Sequence, residues 1–510
     1  MDEAENPDVY IKRKKTPFKY QEECLEKILN LFRKGINPIL NFDTGLGKTF
    51  TSLELIRRMK YENALQNEFH IKTILIVCKA SNIKDPWIKD INENQMSCLT
   101  YAGSQDKRSI FRFENDKKQE QLNIQGYDIL LVSYDILAND ITYISQTNFD
   151  LVIFDEIHNQ FNDTKYSANI SKITNLNYKF AVALTATPMK NTVYEPYLLA
   201  CFMKYQKKYN EIRKEFLTEV AEYSEMDPEI FEDIIIKRIK SEFQDYFITI
   251  SKYHISEESP LPAIHSYKII LPVEDSIRIA VGYDFIMEEN FFNRKEHLLT
   301  FPENYPAELE NNGLPQNIIS TKYIALETIV RKLLAKQEKI IIFSQFVKDL
   351  EFLCGKLSLS KPIIITGKHN PKEREDRIKF FNSDNNGRNI LLLSLNAFAE
   401  GINLQSANNV IFMNPWYNPS KLSQARDRVY RTGQKKEVNV FYLSTDTQFE
   451  KRVWNIHDRK NYIITTLFFD DVKEKLPKIQ DIDYQTFNYE RSEDLAQNTN
   501  SFIESFLNNI

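Results

Sequence analysis

The stretch Asn41-Phe42-Asp43-Thr44-Gly45-Leu46-Gly47-Lys48-Thr49 holds residue types suited to a polyphosphate. The apolar run Pro38-Ile39-Leu40 leads in, and a helix-like run over 50–60 leads out. Strand, glycine turn and helix aim main-chain N–H groups and a helix N-terminus at a phosphate chain. Gly45 and Gly47 let the backbone approach the phosphates where a Cβ would collide. Thr44 and Leu46 complete the cradle, Lys48 would reach the β- and γ-phosphates, and the Thr49 hydroxyl would ligate Mg²⁺. The full pattern G-x-x-x-x-G-K-[ST] wants a glycine where Phe42 stands.

Two further groups could act on that phosphate chain. Asp155-Glu156-Ile157-His158 closes the apolar run Leu151-Val152-Ile153-Phe154. A carboxylate at a strand's C-terminal edge, one strand from the phosphate loop, is placed to hold Mg²⁺ through its water shell. Glu156 can then orient and deprotonate an attacking water. The strand ending in Leu184-Thr185-Ala186-Thr187-Pro188 brings two hydroxyls beside those carboxylates. Far along the chain, Gln424, Arg428 and Arg431 recur at i, i+4 and i+7, the spacing of one helix face. Guanidinium groups there would neutralise charge on a γ-phosphoryl group, and their place on a second lobe would tie catalysis to lobe closure.

The elements that must position these residues read as parallel α/β. Continuous Ile/Leu/Val/Phe runs at 73–78, 128–133, 150–155 and 180–185 suit strands buried on both faces, with helices as crossovers. A second set at 339–344, 362–366, 389–394, 409–413 and 438–443 repeats the architecture. Between them the texture turns helical and rich in Tyr, Lys and Glu, with prolines clustered late. The expected division is a leader at 1–15, a first lobe at 16–195, a helical insertion and linker at 196–320, a second lobe at 321–470 and a C-terminal tail at 471–510, whose short apolar end, Phe502 to Phe506, makes it either a docking helix or a loose tail. The fold class is α/β, with two doubly wound parallel-sheet lobes.

Composition narrows the class. With 510 residues, 42% hydrophobic and 27% charged, the chain has ample core for several domains. A net charge of −5 excludes a wholly basic nucleic-acid coat, so contacts to DNA or RNA must come from local patches such as 12–15, 204–214 and 237–240. The acidic amino terminus lacks an apolar h-region and no run approaches a membrane span, which reads as a soluble, intracellular protein. Five scattered cysteines without a C-x-x-C pair point to free thiols and away from structural zinc.

The ordered set resembles the superfamily-two helicase-like ATPases, specifically the Swi/Snf family of DNA translocases. Phe18-Lys19-Tyr20-Gln21 is similar to the adenine-reading Q motif, which implies that Gln21 contacts adenine. Residues 43–49 resemble motif I, 155–158 motif II and 184–191 motif III. The stretch 77–91, with Ser81 and Trp87, is similar to motif Ia, Ser133-Tyr134 to Ib and Ile342-Phe343-Ser344-Gln345 to IV. Residues 394–404 resemble motif V, through which Gly401 is assigned to the nucleotide. Asn414-Pro415-Trp416-Tyr417-Asn418-Pro419 is similar to the family's D-x-x-W-N-P element, and Q-A-x-D-R-x-x-R-x-G-Q over 424–434 is the most specific match. The resemblance implies two RecA-like lobes, ATP and Mg²⁺ as cofactors, and double-stranded DNA as partner, tracked by motifs Ia, Ib, IV and V.

Departures accompany it. Thr-Ala-Thr-Pro stands for Thr-Gly-Thr-Pro, Phe398-Ala399-Glu400 for small residues, Asn414 for aspartate, and a basic patch near Ile248 shrinks to Lys252. These are similar to divergent phage and viral members, some of which act in transcription. The leading expectation is an ATP-dependent translocase on duplex DNA that remodels or displaces bound protein. Alternatives are a strand-separating DNA or RNA helicase, and a transcription-associated ATPase working with RNA polymerase.

Overall fold

The computed structural model describes the chain except for residues 1–15, 63–64, 66–67, 115–119, 162–163, 224, 256–260, 282–293, 384–386, 396–402, 432 and 487–493. The basic run at 12–15, Phe398 to Glu400, Gly401 and Thr432 therefore lie outside the described residues. Two compact units emerge, one of residues 1–255 with 463–471, the other of 256–462 with 472–510.

The first unit is built on a seven-stranded sheet in the order β3-β6-β2-β7-β8-β1-β9. Its strands are β1 (Ile39–Phe42), β2 (Ile74–Cys78), β3 (Cys98–Tyr101), β6 (Ile129–Ser133), β7 (Asn148–Asp155), β8 (Asn177–Thr185) and β9 (Phe247–Ile250). A separate hairpin pairs β4 (Arg112–Glu114) with β5 (Glu120–Leu122). All pairings in the large sheet are parallel. Both faces are covered, as alternation requires: Leu75, Val77, Val152 and Phe154 join one core cluster, while Ile74, Ile76, Leu151 and Ile153 join the other. Asp155 stands beside Leu184, and Leu184 beside Leu40, so β8 alone separates the carboxylate strand from the glycine-turn strand.

The second unit repeats the design with seven parallel strands in the order β12-β13-β11-β14-β15-β10-β16. They are β10 (Ile264–Leu271), β11 (Ile340–Ser344), β12 (Ile363–Ile365), β13 (Ile390–Ser394), β14 (Asn409–Phe412), β15 (Val438–Thr445) and β16 (Ile479–Asp483).

The sequence reading of 196–320 as helix and linker needs correction. Three helices, Tyr194–Tyr205, Tyr209–Glu222 and Pro228–Glu242, do pack together through aromatic contacts such as Tyr197 on Phe216. After them, however, β9 joins the first sheet beside β1 and β10 joins the second beside β15. The span 471–510, expected as either a docking helix or a loose tail, belongs to the second unit from Val472 onward, and its helix docks. β16 adds to β10, and helix Leu495–Asn508 inserts Phe502, Ile503 and Phe506 into the core. No helix among the described residues is long and apolar enough to cross a membrane.

Candidate nucleotide-binding site

β1 ends at Phe42, a fully buried core residue, which explains why no glycine stands there. Its carbonyl accepts a hydrogen bond from Lys48 Nζ at 3.0 Å, folding the lysine back over the loop. Gly45 and Gly47 take left-handed φ values of 91° and 81°, the conformation L-residues disfavour. Gly47 caps the fourteen-residue helix Lys48–Tyr61, whose first N–H groups open onto the turn. The loop is braced from β9. Asp43 N–H donates to the Ile250 carbonyl, and its Oδ2 accepts the Lys252 N–H, both at 3.0 Å. Lys252, read from sequence as the remnant of a basic patch, is buried.

Gln21 lies in the helix Lys19–Arg33 and is buried against the same loop. Its Nε2 donates to the Leu46 carbonyl at 3.1 Å, and its Oε1 accepts the Phe18 N–H at 3.0 Å. Tyr20 O–H donates to the Leu46 carbonyl too, at 3.1 Å, and its ring stacks on that of exposed Phe18. Thr44 and Thr49 are half-buried on the turn and the helix start.

Asp155 is the last residue of β7 and is buried. Its Oδ2 accepts Trp87 Nε1–H at 2.9 Å and Asn82 Nδ2–H at 3.3 Å, and its carbonyl accepts the Tyr134 hydroxyl at 2.9 Å. Glu156 follows with φ of 50°, a left-handed conformation for a non-glycine residue. Such backbone costs about 1–3 kcal/mol and clusters where geometry serves function. It aims the carboxylate back over the turn, with Oε1 3.9 Å from Lys48 Nζ and Oε2 3.2 Å from His158 Nδ1. Thr185 Oγ1 lies 2.8 Å from His158 Nδ1, and Thr187 Oγ1 lies 3.4 Å from Nε2. The two hydroxyls thus reach Glu156 through His158, a link the sequence reading assigned directly to the carboxylates. Burial, aided by Lys190, Lys79 and Lys48, pushes the imidazole well below its usual pKa and keeps it neutral.

The second unit holds the other predicted set, with one correction. Helix Pro419–Arg426 carries Gln424 but ends before Arg428 and Arg431, so no single helix face presents all three. Beyond Asp427 the chain continues in turns, where Gln434 Nε2 donates to the carbonyls of Gln405, Ala407 and Val429 and Gly433 takes a φ of 97°. Arg428 is buried and its carbonyl accepts the Leu404 N–H, whereas Gln424 and Arg431 are half-buried.

The SNF2-related domain matches residues 20–290, more than half of the chain. The chain belongs to the SNF2-related family. The helicase conserved C-terminal domain matches residues 321–433 of this SNF2-related chain. Similar relatives include an uncharacterized ATP-dependent helicase of Mycoplasma pneumoniae, 25% identical over 89% of this chain and 42% of that protein. The ISWI chromatin-remodeling complex ATPase ISW2 of Saccharomyces cerevisiae is 25% identical over 85% of this chain and 39% of its own. The SNF2-related chain thus spans about two fifths of the length of these curated relatives. Among solved structures, the Sulfolobus solfataricus SWI2/SNF2 ATPase core in complex with dsDNA is 23% identical, covering 90% of this chain and 93% of its own, with a TM-score of 0.41.

Five residues of the SNF2-related site escaped sequence reasoning: Tyr20, Asn82, Tyr134, His158 and, as a hydrogen-bonding group, Trp87. All five lie within segments that the sequence marks as motif-like, but none of them carried an assigned role there. The Asp155 partners lie 68 and 73 residues away, and only the β2–β7 pairing brings them to its carboxylate.

Proposed function

We propose that the chain hydrolyses ATP and uses the cycle to translocate along double-stranded DNA, remodelling or displacing bound protein. The carrying observation is the pair Lys48 and Glu156, 3.9 Å apart above a turn of left-handed glycines at a helix N-terminus. Cation, carboxylate and N–H cradle are the parts that phosphoryl transfer to water needs.

In this reading the main chain of Thr44 to Thr49 binds the phosphates and Lys48 neutralises them. Gln21 and the exposed Phe18 face the base. The oxygen donors Thr49 and Asp155 fit magnesium, a hard cation bound through one or two protein oxygens plus phosphates and water. Among the described residues no group of three or more His, Cys, Asp or Glu side chains is arranged to hold a metal ion by itself, and this mode needs none. Bound there, the ion supplies charge neutralisation between the β- and γ-phosphates. Glu156 orients the water and takes its proton as the water oxygen bonds to the γ-phosphorus. The bond from that phosphorus to the bridging oxygen breaks, and ADP leaves with the electron pair. Neutral His158, held by Thr185 and Thr187, fixes the Glu156 carboxylate. Gln424, Arg428, Arg431 and Gly401 are further candidates for a role in ATP hydrolysis, on the resemblance of their segments to the family's motifs alone. Support for the DNA substrate comes from family membership and from relatives named as a chromatin remodeling factor and a chromatin-remodeling complex ATPase.

Steady-state ATP hydrolysis with no nucleic acid, single-stranded DNA, duplex DNA and RNA tests this, with Glu156→Gln as the blank. Stimulation by duplex DNA above the others supports the proposal. Preferential stimulation by single strands or RNA favours a strand-separating helicase and overturns it.

A further inference from the structure

We infer that Trp87 is a positioning residue for Asp155, fixing the rotation of its carboxylate and through it the divalent-cation affinity of the nucleotide site. The inference rests on the reading of Asp155 as the carboxylate on the magnesium side.

Trp87 lies in the irregular helical segment Ile83–Ile88, which follows β2, the neighbour of β7. It is fully buried, among the largest such side chains in the chain. A core position asking only for volume is served by Phe or Leu. An indole adds an N–H that can only donate, and burial obliges it to find an acceptor. Here the acceptor is Asp155 Oδ2, at 2.9 Å, and Asn82 Nδ2 reaches the same oxygen at 3.3 Å. Two donors from the stretch 82–87 thus converge on one oxygen of one carboxylate, while Tyr134 holds the carbonyl of the same residue. Charge-assisted hydrogen bonds are roughly twice as strong as neutral ones, so this pair sets the carboxylate's rotamer before any ligand arrives. Outer partners of this kind, when removed, cost about 10–100-fold in metal affinity.

The test is nucleotide binding without turnover, in the full chain, using a fluorescent ATP analogue titrated with Mg²⁺ and repeated in EDTA. Trp87→Phe keeps the ring and removes the donor. We expect it to raise the half-saturating Mg²⁺ concentration about tenfold or more, leaving affinity in EDTA unchanged. Asn82→Ala, at a half-buried position, should shift Mg²⁺ dependence in the same direction by less, and it carries the test alone should Trp87→Phe fail to fold. Equal losses with and without Mg²⁺ would mark Trp87 as mere packing and overturn the inference, as would no shift. Asp155→Asn separates the two levels. If it moves the Mg²⁺ dependence while Trp87→Phe and Asn82→Ala do not, the positioning role fails alone. If Asp155→Asn leaves it unmoved, the magnesium reading of Asp155 falls, and the inference with it.

Discussion

Gln21 packs so closely on Gly47 that a Cβ on the glycine would stand 2.6 Å from Gln21 Nε2. The residue that resembles an adenine reader is therefore also a wall of the phosphate loop. Gly47→Ala meets two penalties, the contact and a φ of 81°, the latter about 1–2 kcal/mol. It should lower the denaturant midpoint and weaken ATP binding. Adding Gln21→Ala relieves the contact but also removes the Gln21 hydrogen bonds to Leu46 and Phe18, so Gly47→Ala should cost less in a Gln21→Ala background than in the unaltered chain. Urea unfolding of the single and double variants measures both terms.

Glu156 is predicted to serve as general base. Glu156→Gln removes proton acceptance while keeping shape, so kcat should fall about 10²–10⁴-fold with ATP affinity nearly unchanged. Lys48→Ala should instead abolish affinity, because it deletes the charge next to the phosphates. Equilibrium nucleotide binding alongside steady-state rates distinguishes the two.

His158 supplies a pH dependence. Its pKa in the fold lies well below the usual 6.5 because burial penalises the cation. Below about pH 6.5 the unfolded chain therefore binds a proton that the native chain refuses. The first unit should lose stability as pH falls below that value. His158→Gln, which cannot titrate there, should flatten the slope between pH 5 and 7 in thermal melts.

Much of this architecture is legible in the sequence because fully buried parallel strands announce themselves. Ile74 to Cys78 and Ile390 to Ser394 are nearly unbroken aliphatic runs covered on both faces. The strands misread lie toward sheet edges. Ile479–Asp483 has only two apolar residues, Ile479 and Ile482, on an outer strand, and Phe247–Ile250 has only four residues. The strand–glycine turn–helix geometry around Gly45 and Gly47 and the place of Asp155-Glu156 at a strand end were readable from local spacing. The Trp87 and His158 contacts were not, since each joins segments that only the sheet order makes neighbours. Periodicity also carried the Arg428 and Arg431 stripe too far, because it does not register that the helix stops at Arg426.

The two arginines should separate by experiment. Arg431 is half-buried, so Arg431→Ala should lower kcat about 10³-fold or more at an unchanged melting temperature. Arg428 is 4% exposed, so Arg428→Ala should lower both rate and melting temperature. Paired ATPase and melting measurements on each variant check this.

Release of a third DNA strand from a triplex tests the central claim most directly. A translocase moving along the underlying duplex strips the third strand in an ATP-dependent way and leaves the duplex paired. The account predicts that result, with Glu156→Gln inactive. Separation of a forked duplex, with the triplex left intact, would contradict it.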